Sequence, residues 1–184
     1  MRLILVRHPA PAIASGLCYG RSDVPVAPAE LAQVRASLQA TLPRQVPIYS
    51  SPLARCLDLA RLLAQDLDAG TVKIDARLAE MDFGVWEMHS WQAIERAAID
   101  AWAGDLVHYR PGGGENVLAM AARVQSFRQD LLREQHATAI VVCHAGTIRL
   151  LAALQGALSL EEAAFLAASS AHKMTYGSST IIDF

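Results

Sequence analysis

A chain of 184 residues with a hydrophobic fraction of 53% and a formal charge of −2 is long enough to bury most of its apolar surface in one soluble globular unit. The near-neutral charge argues against the basic footprint of a nucleic-acid binder, and no apolar run approaches the roughly 20 residues a membrane helix needs. Cys18, Cys56 and Cys143 are odd in number and lack CxxC spacing, so neither a disulfide framework nor a zinc site is expected, and packing roles are assigned to them. Leu3 to Val6 is too short for a signal-peptide core and no small-residue cleavage site follows, which predicts a cytoplasmic protein. No repeat, low-complexity tract or linker divides the chain, so residues 1–184 are expected to form a single domain.

Leu3 to Val6 reads as a strand buried on both faces. Pro9 offers no amide to a ladder and biases His8 away from helix, so the strand should end at Arg7 and His8. Side chains just past the carboxyl end of such a strand sit where open α/β sheets bind ligands. A loop follows from Ala12 to Ala27, and its length and polar content suggest a binding loop. Pro28 then suits a first helical position, with Leu31, Val34, Leu38 and Leu42 near helical spacing. Val46 to Ser50 reads as a second strand. Ser51 and Pro52 form an N-cap and first-turn pair for a helix with the stripe Leu53, Leu57, Ala60, Ala64 and Leu67. Thr71 to Ile74 reads as a third strand.

From Arg77 to Trp91 no clean period survives, which predicts an irregular segment over the sheet edge leading into a helix near Ser90 to Ala103. The breaker Pro111-Gly-Gly-Gly precedes a helix with Val117, Met120, Ala121, Val124, Phe127 and Leu131 on one face. Ala139 to Cys143 is a β-branched strand, followed by His144-Ala-Gly and an apolar helix through Leu154. Tyr176 to Phe184 reads as an edge strand.

Arg7 and His8 after the first strand, Arg55 in the helical turn after the second, and His144 after Cys143 occupy comparable positions. Parallel strands joined by crossover helices would bring them to one edge of the sheet. Two arginines there suit an anion, because each planar guanidinium binds phosphate oxygens in pairs and stays charged. A neutral imidazole beside a clamped phosphoryl group can attack phosphorus, and a carboxylic acid such as Glu80 can protonate the departing alkoxide and then activate water. This chemistry requires no metal and no cofactor. The arginines flanking both histidines also argue against a metal site.

LVRHP, SSPLARCLDLA, LAEMDFGVWE, GGGENV and VVCHAGTIR occur in this order between Arg2 and Arg149. Together they resemble the motif blocks of the histidine phosphatase superfamily, also called phosphoglycerate mutase-like. The resemblance implies a three-layer α/β/α fold with a mostly parallel central sheet. It also implies that His8 is the phosphorylated nucleophile, that Arg7, Arg55 and His144 form the phosphate pocket, and that Glu80 is the proton donor. Tyr19, Arg21 and Ser22 are candidates either for loop structure or for substrate contact, and Ala145, after His144, for substrate contact. Gly16 to Val26 with EMDFGVWE is most similar to the α-ribazole phosphatase branch, which acts late in cobalamin assembly.

Three departures from the family pattern stand out. Pro9 replaces a glycine, Met88 stands where WEG has its glycine, and Asp58 adds a carboxylate one turn beyond Arg55, where pairing would soften the clamp. Glu115 is expected to stabilise the N-terminus of its helix. His89, His108, His136 and His172 are read as surface or packing residues, and Trp86, Trp91 and Trp102 as core or pocket wall. The expected substrate is a small phosphomonoester, with no nucleic-acid or membrane partner, and a homodimer is compatible with a sequence that does not decide oligomeric state. The alternatives are a broad-specificity phosphatase, a phosphoglycerate mutase-like phosphoryl transferase, or an idle phosphate-binding protein on the same fold. Hydrolysis is favoured over phosphoryl return because insertions that would close over a bisphosphate are not evident.

Overall fold

A computed structural model describes residues 1–170 and 174–184. Its five-stranded sheet has the order β3-β2-β4-β1-β5, with β1 at Arg2–Arg7, β2 at Ile48–Ser50, β3 at Lys73–Ile74, β4 at Thr138–Cys143 and β5 at Ser179–Asp183. β1, β2, β3 and β4 run parallel, and β5 joins the edge antiparallel to β1. Helices α1 (Pro28–Gln39), α2 (Ala54–Asp66), α3 (Arg96–Gly104), α4 (Val117–Arg133), α5 (Ala145–Ala153) and α6 (Leu160–Ser169) complete the order. The expected three-layer architecture is therefore present.

The two layers of helices follow from the pleat, because successive residues of a strand point to opposite faces. Leu3, Leu5, Val141 and Cys143 pack with the apolar faces of α4, α5 and α6. Ile4, Val6, Ile140 and Val142 pack with α1 and α2. All eight are buried, at roughly 1.5–3 kcal/mol for each large aliphatic side chain. β1 and β4 are thus fixed in the middle of the molecule. All three cysteines are free and buried, as packing roles require.

Several boundaries differ from the sequence expectation. β2 begins at Ile48 rather than Val46, because Pro47 has no N–H for the ladder and Gln45 takes a left-handed φ of 59°. β3 is reduced to an exposed pair, Lys73 and Ile74. α2 starts at Ala54, not after Ser51. The Ser51 amide donates to the Val142 carbonyl at 3.0 Å, which keeps the chain extended beside β4. Leu53, Ala60, Ala64 and Leu67 of the expected stripe are buried, joined by Cys56, Leu59 and Leu63, while Leu57 is partly exposed.

Instead of one helix over Ser90 to Ala103, a short 3-10 turn at Trp91–Ala93 precedes α3. Ser90 bridges to Leu17 of the binding loop, and that pairing demands extended backbone. α6 has no counterpart in the sequence expectation, although Ser159 and Glu162 form a reciprocal capping box at its start. Tyr176 lies before β5 rather than in it. The expectation for His172 falls outside the described residues.

Candidate active site

Strand register places the two histidines. Arg7 pairs with Cys143 across the β1–β4 ladder, so the next residues, His8 and His144, leave the sheet side by side with ring centroids 5.0 Å apart. β2 adds Ser51 at the same level, and its hydroxyl lies 2.8 Å from His144 Nε2. His144 is also the N-cap residue of α5, so Ala145 and Gly146 present their amides at a helix N-terminus, where an anion is favoured.

His8 and His144 are buried at 2% and 0% exposure. Burial, and next the positive charge of Arg55, push the His8 pKa down to about 3. The same two causes, in the same order, hold His144 well below the ordinary imidazole value. Both rings are therefore neutral near pH 7. His8 Nδ1 lies 2.7 Å from the Pro9 carbonyl. A carbonyl only accepts, so Nδ1 carries the proton and Nε2 keeps a free lone pair.

Arg55, in the first turn of α2 as expected, is fully buried. It donates to the carbonyls of Ser22 at 2.7 Å and Gly20 at 2.6 Å, which ties the binding loop to the cleft. Gly20 has no room for a side chain, since a Cβ there would collide with the Met81 carbonyl and the Phe83 ring. Arg7 donates to the Met174 carbonyl. Among the described residues, neither Arg7 nor Arg55 pairs with a carboxylate. Asp58 is exposed and makes no pair with Arg55, whose donors face the loop carbonyls instead.

Glu80 enters from the irregular segment. Its carboxylate accepts from the Gly146 amide at 3.2 Å and the Met81 amide at 3.1 Å. A Cβ at residue 146 would collide with Glu80 Oε1, so the acid reaches the start of α5 because a glycine stands there. Glu115 does not act at its own helix end. It forms a bidentate pair with Arg123 at 2.7 and 2.8 Å, and Arg123 also donates to the carbonyls of Arg77, Ala79 and Glu80 at 2.6, 2.7 and 3.2 Å. One guanidinium thus holds the backbone that carries Glu80.

Arg7, His8, Arg55, Glu80, Ala145 and Tyr19 line one cavity of about 370 Å³. Beyond the polar end its wall is apolar, with Leu17, Phe83, Trp91, Trp102, Val117 and Met120. Trp91 and Trp102 stack there with centroids 6.1 Å apart, while Trp86 packs against Trp102 outside the cavity lining. Arg149 also borders the cavity.

Arg21 and Ser22 are not brought to this cavity. The Ser22 hydroxyl and amide bind Glu87, and Arg21 points outward to Asp82 at 3.8 Å. Glu87 also accepts from the Phe83 amide at 3.0 Å, so these two residues serve the loop's structure. Met88, at the family's glycine position, adopts a left-handed φ of 64° and donates to the Cys18 carbonyl at 2.6 Å, so the turn is kept despite the side chain. Sequence reasoning missed Ser51 as a partner of His144, Arg123, and Tyr176, whose ring lies 5.5 Å from that of His8. His89, His108 and His136 are peripheral, each bonded to a nearby glutamate.

Two neutral histidines, two arginines with no carboxylate partner among the described residues, and one carboxylate at the carboxyl end of a mostly parallel sheet define an enzyme that handles phosphate esters. The chain belongs to the histidine phosphatase superfamily (branch 1), whose profile matches residues 3–182, and it is a phosphatase. It is 30% identical over 165 residues to a Hydrogenobacter thermophilus protein provisionally named phosphoserine phosphatase 2, covering 87% of this chain and 81% of that one. Its structure is similar to the alpha-ribazole phosphatase of Shigella flexneri, with 29% identity, a TM-score of 0.82, and coverage of 100% of this chain and 90% of that one. A mycobacterial glucosyl-3-phosphoglycerate phosphatase in complex with VO3 has 25% identity, a TM-score of 0.80, and coverage of 99% and 92%. Among the described residues no helix is long and apolar enough to cross a membrane.

Proposed function

We propose that this phosphatase hydrolyses a phosphomonoester through a phosphohistidine on His8, and that its substrate is α-ribazole 5′-phosphate. The observation that carries the mechanism is the bare Nε2 of His8, left by the Nδ1 bond to Pro9 at 2.7 Å in a cleft lined by Arg7 and Arg55. Nε2 attacks phosphorus in line, forming the N–P bond as the P–O bond to the alcohol breaks. Arg7, Arg55 and His144 stabilise charge on the equatorial oxygens, at about 10²–10³ in rate per donor. Glu80 gives its proton to the departing oxygen, then takes one from the water that cleaves the N–P bond.

The apolar, aromatic wall supports the substrate assignment. α-Ribazole carries a flat aromatic base on its ribose, and Trp91, Trp102 and Phe83 offer surfaces on which such a ring is desolvated. The similarity to an alpha-ribazole phosphatase agrees with this reading. A carboxylate-bearing monoester such as phosphoserine is the second reading, favoured by Arg149 at the cavity border.

The experiment is phosphate release in the presence of EDTA from α-ribazole 5′-phosphate, phosphoserine, 3-phosphoglycerate, sugar phosphates and p-nitrophenyl phosphate. A kcat/KM preference for the ribazole compound of about 10²-fold or more is expected. Preference for phosphoserine, or equal slow rates throughout, would overturn the assignment while leaving the mechanism standing.

A further inference from the structure

Tyr176 belongs to no motif, yet its contacts converge on the groups assigned to phosphoryl transfer. Its ring centroid lies 3.8 Å from the Arg7 guanidinium carbon and 5.5 Å from the His8 ring. Its hydroxyl meets that of Tyr19 at 2.6 Å, and the Tyr19 ring lies 5.4 Å from the Arg55 guanidinium. Two phenols therefore link one arginine of the cleft to the other. The contact joins parts of the chain distant in sequence, the loop after β1 and the segment before β5.

That segment is tied to the nucleophile's own backbone. The Gly177 amide donates to the His8 carbonyl at 3.2 Å, and the Arg7 amide donates to the Ser178 carbonyl at 3.0 Å. Tyr176 is thereby held in register with His8. Burial, then the bond to Tyr176, hold the Tyr19 pKa well above the ordinary phenol value, so Tyr19 keeps its proton. Two phenols sharing one mutual hydrogen bond use one of their two protons in it. Neither hydroxyl has a second partner among the described residues, and Tyr19 lines the cavity with Arg7, His8 and Arg55.

We propose that the Tyr19–Tyr176 clasp belongs to the phosphoryl-binding apparatus: Tyr176 is a positioning residue that stacks Arg7 and carries Tyr19, whose hydroxyl donates to a phosphoryl oxygen. This rests on the phosphohistidine reading. Arg7 Nε is buried and has no hydrogen-bond partner among the described residues, so the Tyr176 ring face is one of the contacts that orient its fork. Stacking fixes the plane of the guanidinium without using the donors that a phosphate needs.

The test uses Tyr176→Phe, Tyr19→Phe, the double variant and Tyr176→Leu in the full chain. The readouts are kcat/KM for p-nitrophenyl phosphate and competitive inhibition by inorganic phosphate. Each Phe variant is expected to lower both kcat/KM and phosphate affinity about three- to tenfold, the worth of one hydrogen bond. The double variant should lose little more than Tyr19→Phe alone, because the Tyr176 hydroxyl acts through the Tyr19 hydroxyl that this change removes. Tyr176→Leu, which also removes the stacked ring, should lose about a further tenfold, rescued by Phe but not by Leu.

Wild-type phosphate affinity in the folded Phe variants, or additive losses in the double variant, would overturn the clasp. If Tyr176→Leu fails to fold, the Phe variants alone decide. His8→Ala is the separate control: activity surviving there would sink the phosphohistidine reading itself, whereas unchanged Phe variants sink only the clasp.

Discussion

Replacing Arg123 by Met removes a cation that does not itself line the cavity and meets Glu80 only at its backbone carbonyl, and it should still disable proton donation. Arg123 holds the Glu115 carboxylate through two bonds and three carbonyls of the segment ending at Glu80. Breaking a fully buried pair costs about 3–5 kcal/mol. Arg123 and Glu115 keep 21% and 17% of their side-chain exposure, so water can recover part of the loss and about 2 kcal/mol is expected. With a slope typical of small proteins, that lowers the urea midpoint by about 1 M.

The kinetic consequence depends on the leaving group. General acid catalysis is worth about 10²–10⁴, so an alkyl phosphate should lose on the order of 10² in kcat when Glu80 drifts. p-Nitrophenyl phosphate, whose leaving group departs without a proton, should lose less than about tenfold. Comparing the two substrates on the folded variant is the assay. Equal losses for both, or wild-type rates for both, would refute the claim that Arg123 acts by placing Glu80.

Two further outcomes follow from the same geometry. Gly146→Ala should leave the fold intact but displace the Glu80 carboxylate, since the added Cβ collides with Oε1; kcat for an alkyl phosphate should fall on the order of 10²-fold, and an unchanged kcat would contradict the placement. Stability should also fall with pH: His8 titrates at about 3 folded against an ordinary 6.5, so between those values the unfolded chain binds a proton that the folded chain does not. No penalty exists above the ordinary value, it grows as pH falls towards 3, and His144, lowered for the same main reason, adds to it. Urea midpoints at about pH 7.5 and 5 should differ, and His8→Gln should flatten the slope; equal midpoints in the wild type would contradict neutral burial.

Much of the frame was legible because buried parallel strands write continuous apolar runs. Leu3 to Val6 and Ala139 to Cys143 end abruptly in polar residues, so their ends, and with them His8 and His144, could be located from sequence alone. Pro28 likewise marks the first residue of α1. What failed was local competition with tertiary pairing. Ser51 looked like a helix cap, but its hydroxyl serves His144 and its amide serves β4.

Long-range partners left no local trace. Arg123 sits one turn from residues that pack in the core, and nothing in its neighbours says that its fork reaches the Glu80 segment. Tyr176 gains its place only because β5 adds antiparallel to β1, with Val6 opposite Ser179. The loop residues Arg21 and Ser22 carried the right chemistry for an anion, yet Glu87 and Asp82 hold them elsewhere. Periodicity reports burial of an element, not the partner of a single polar side chain.

The most direct test of the whole account is acid-free, rapid-quench mass spectrometry of the protein during turnover of p-nitrophenyl phosphate. One acid-labile, base-stable phosphoryl group is expected on His8, formed at least as fast as steady-state turnover and absent from His8→Ala, which should be inactive. Full turnover without a phosphoenzyme, or activity retained in the folded His8→Ala variant, would contradict it.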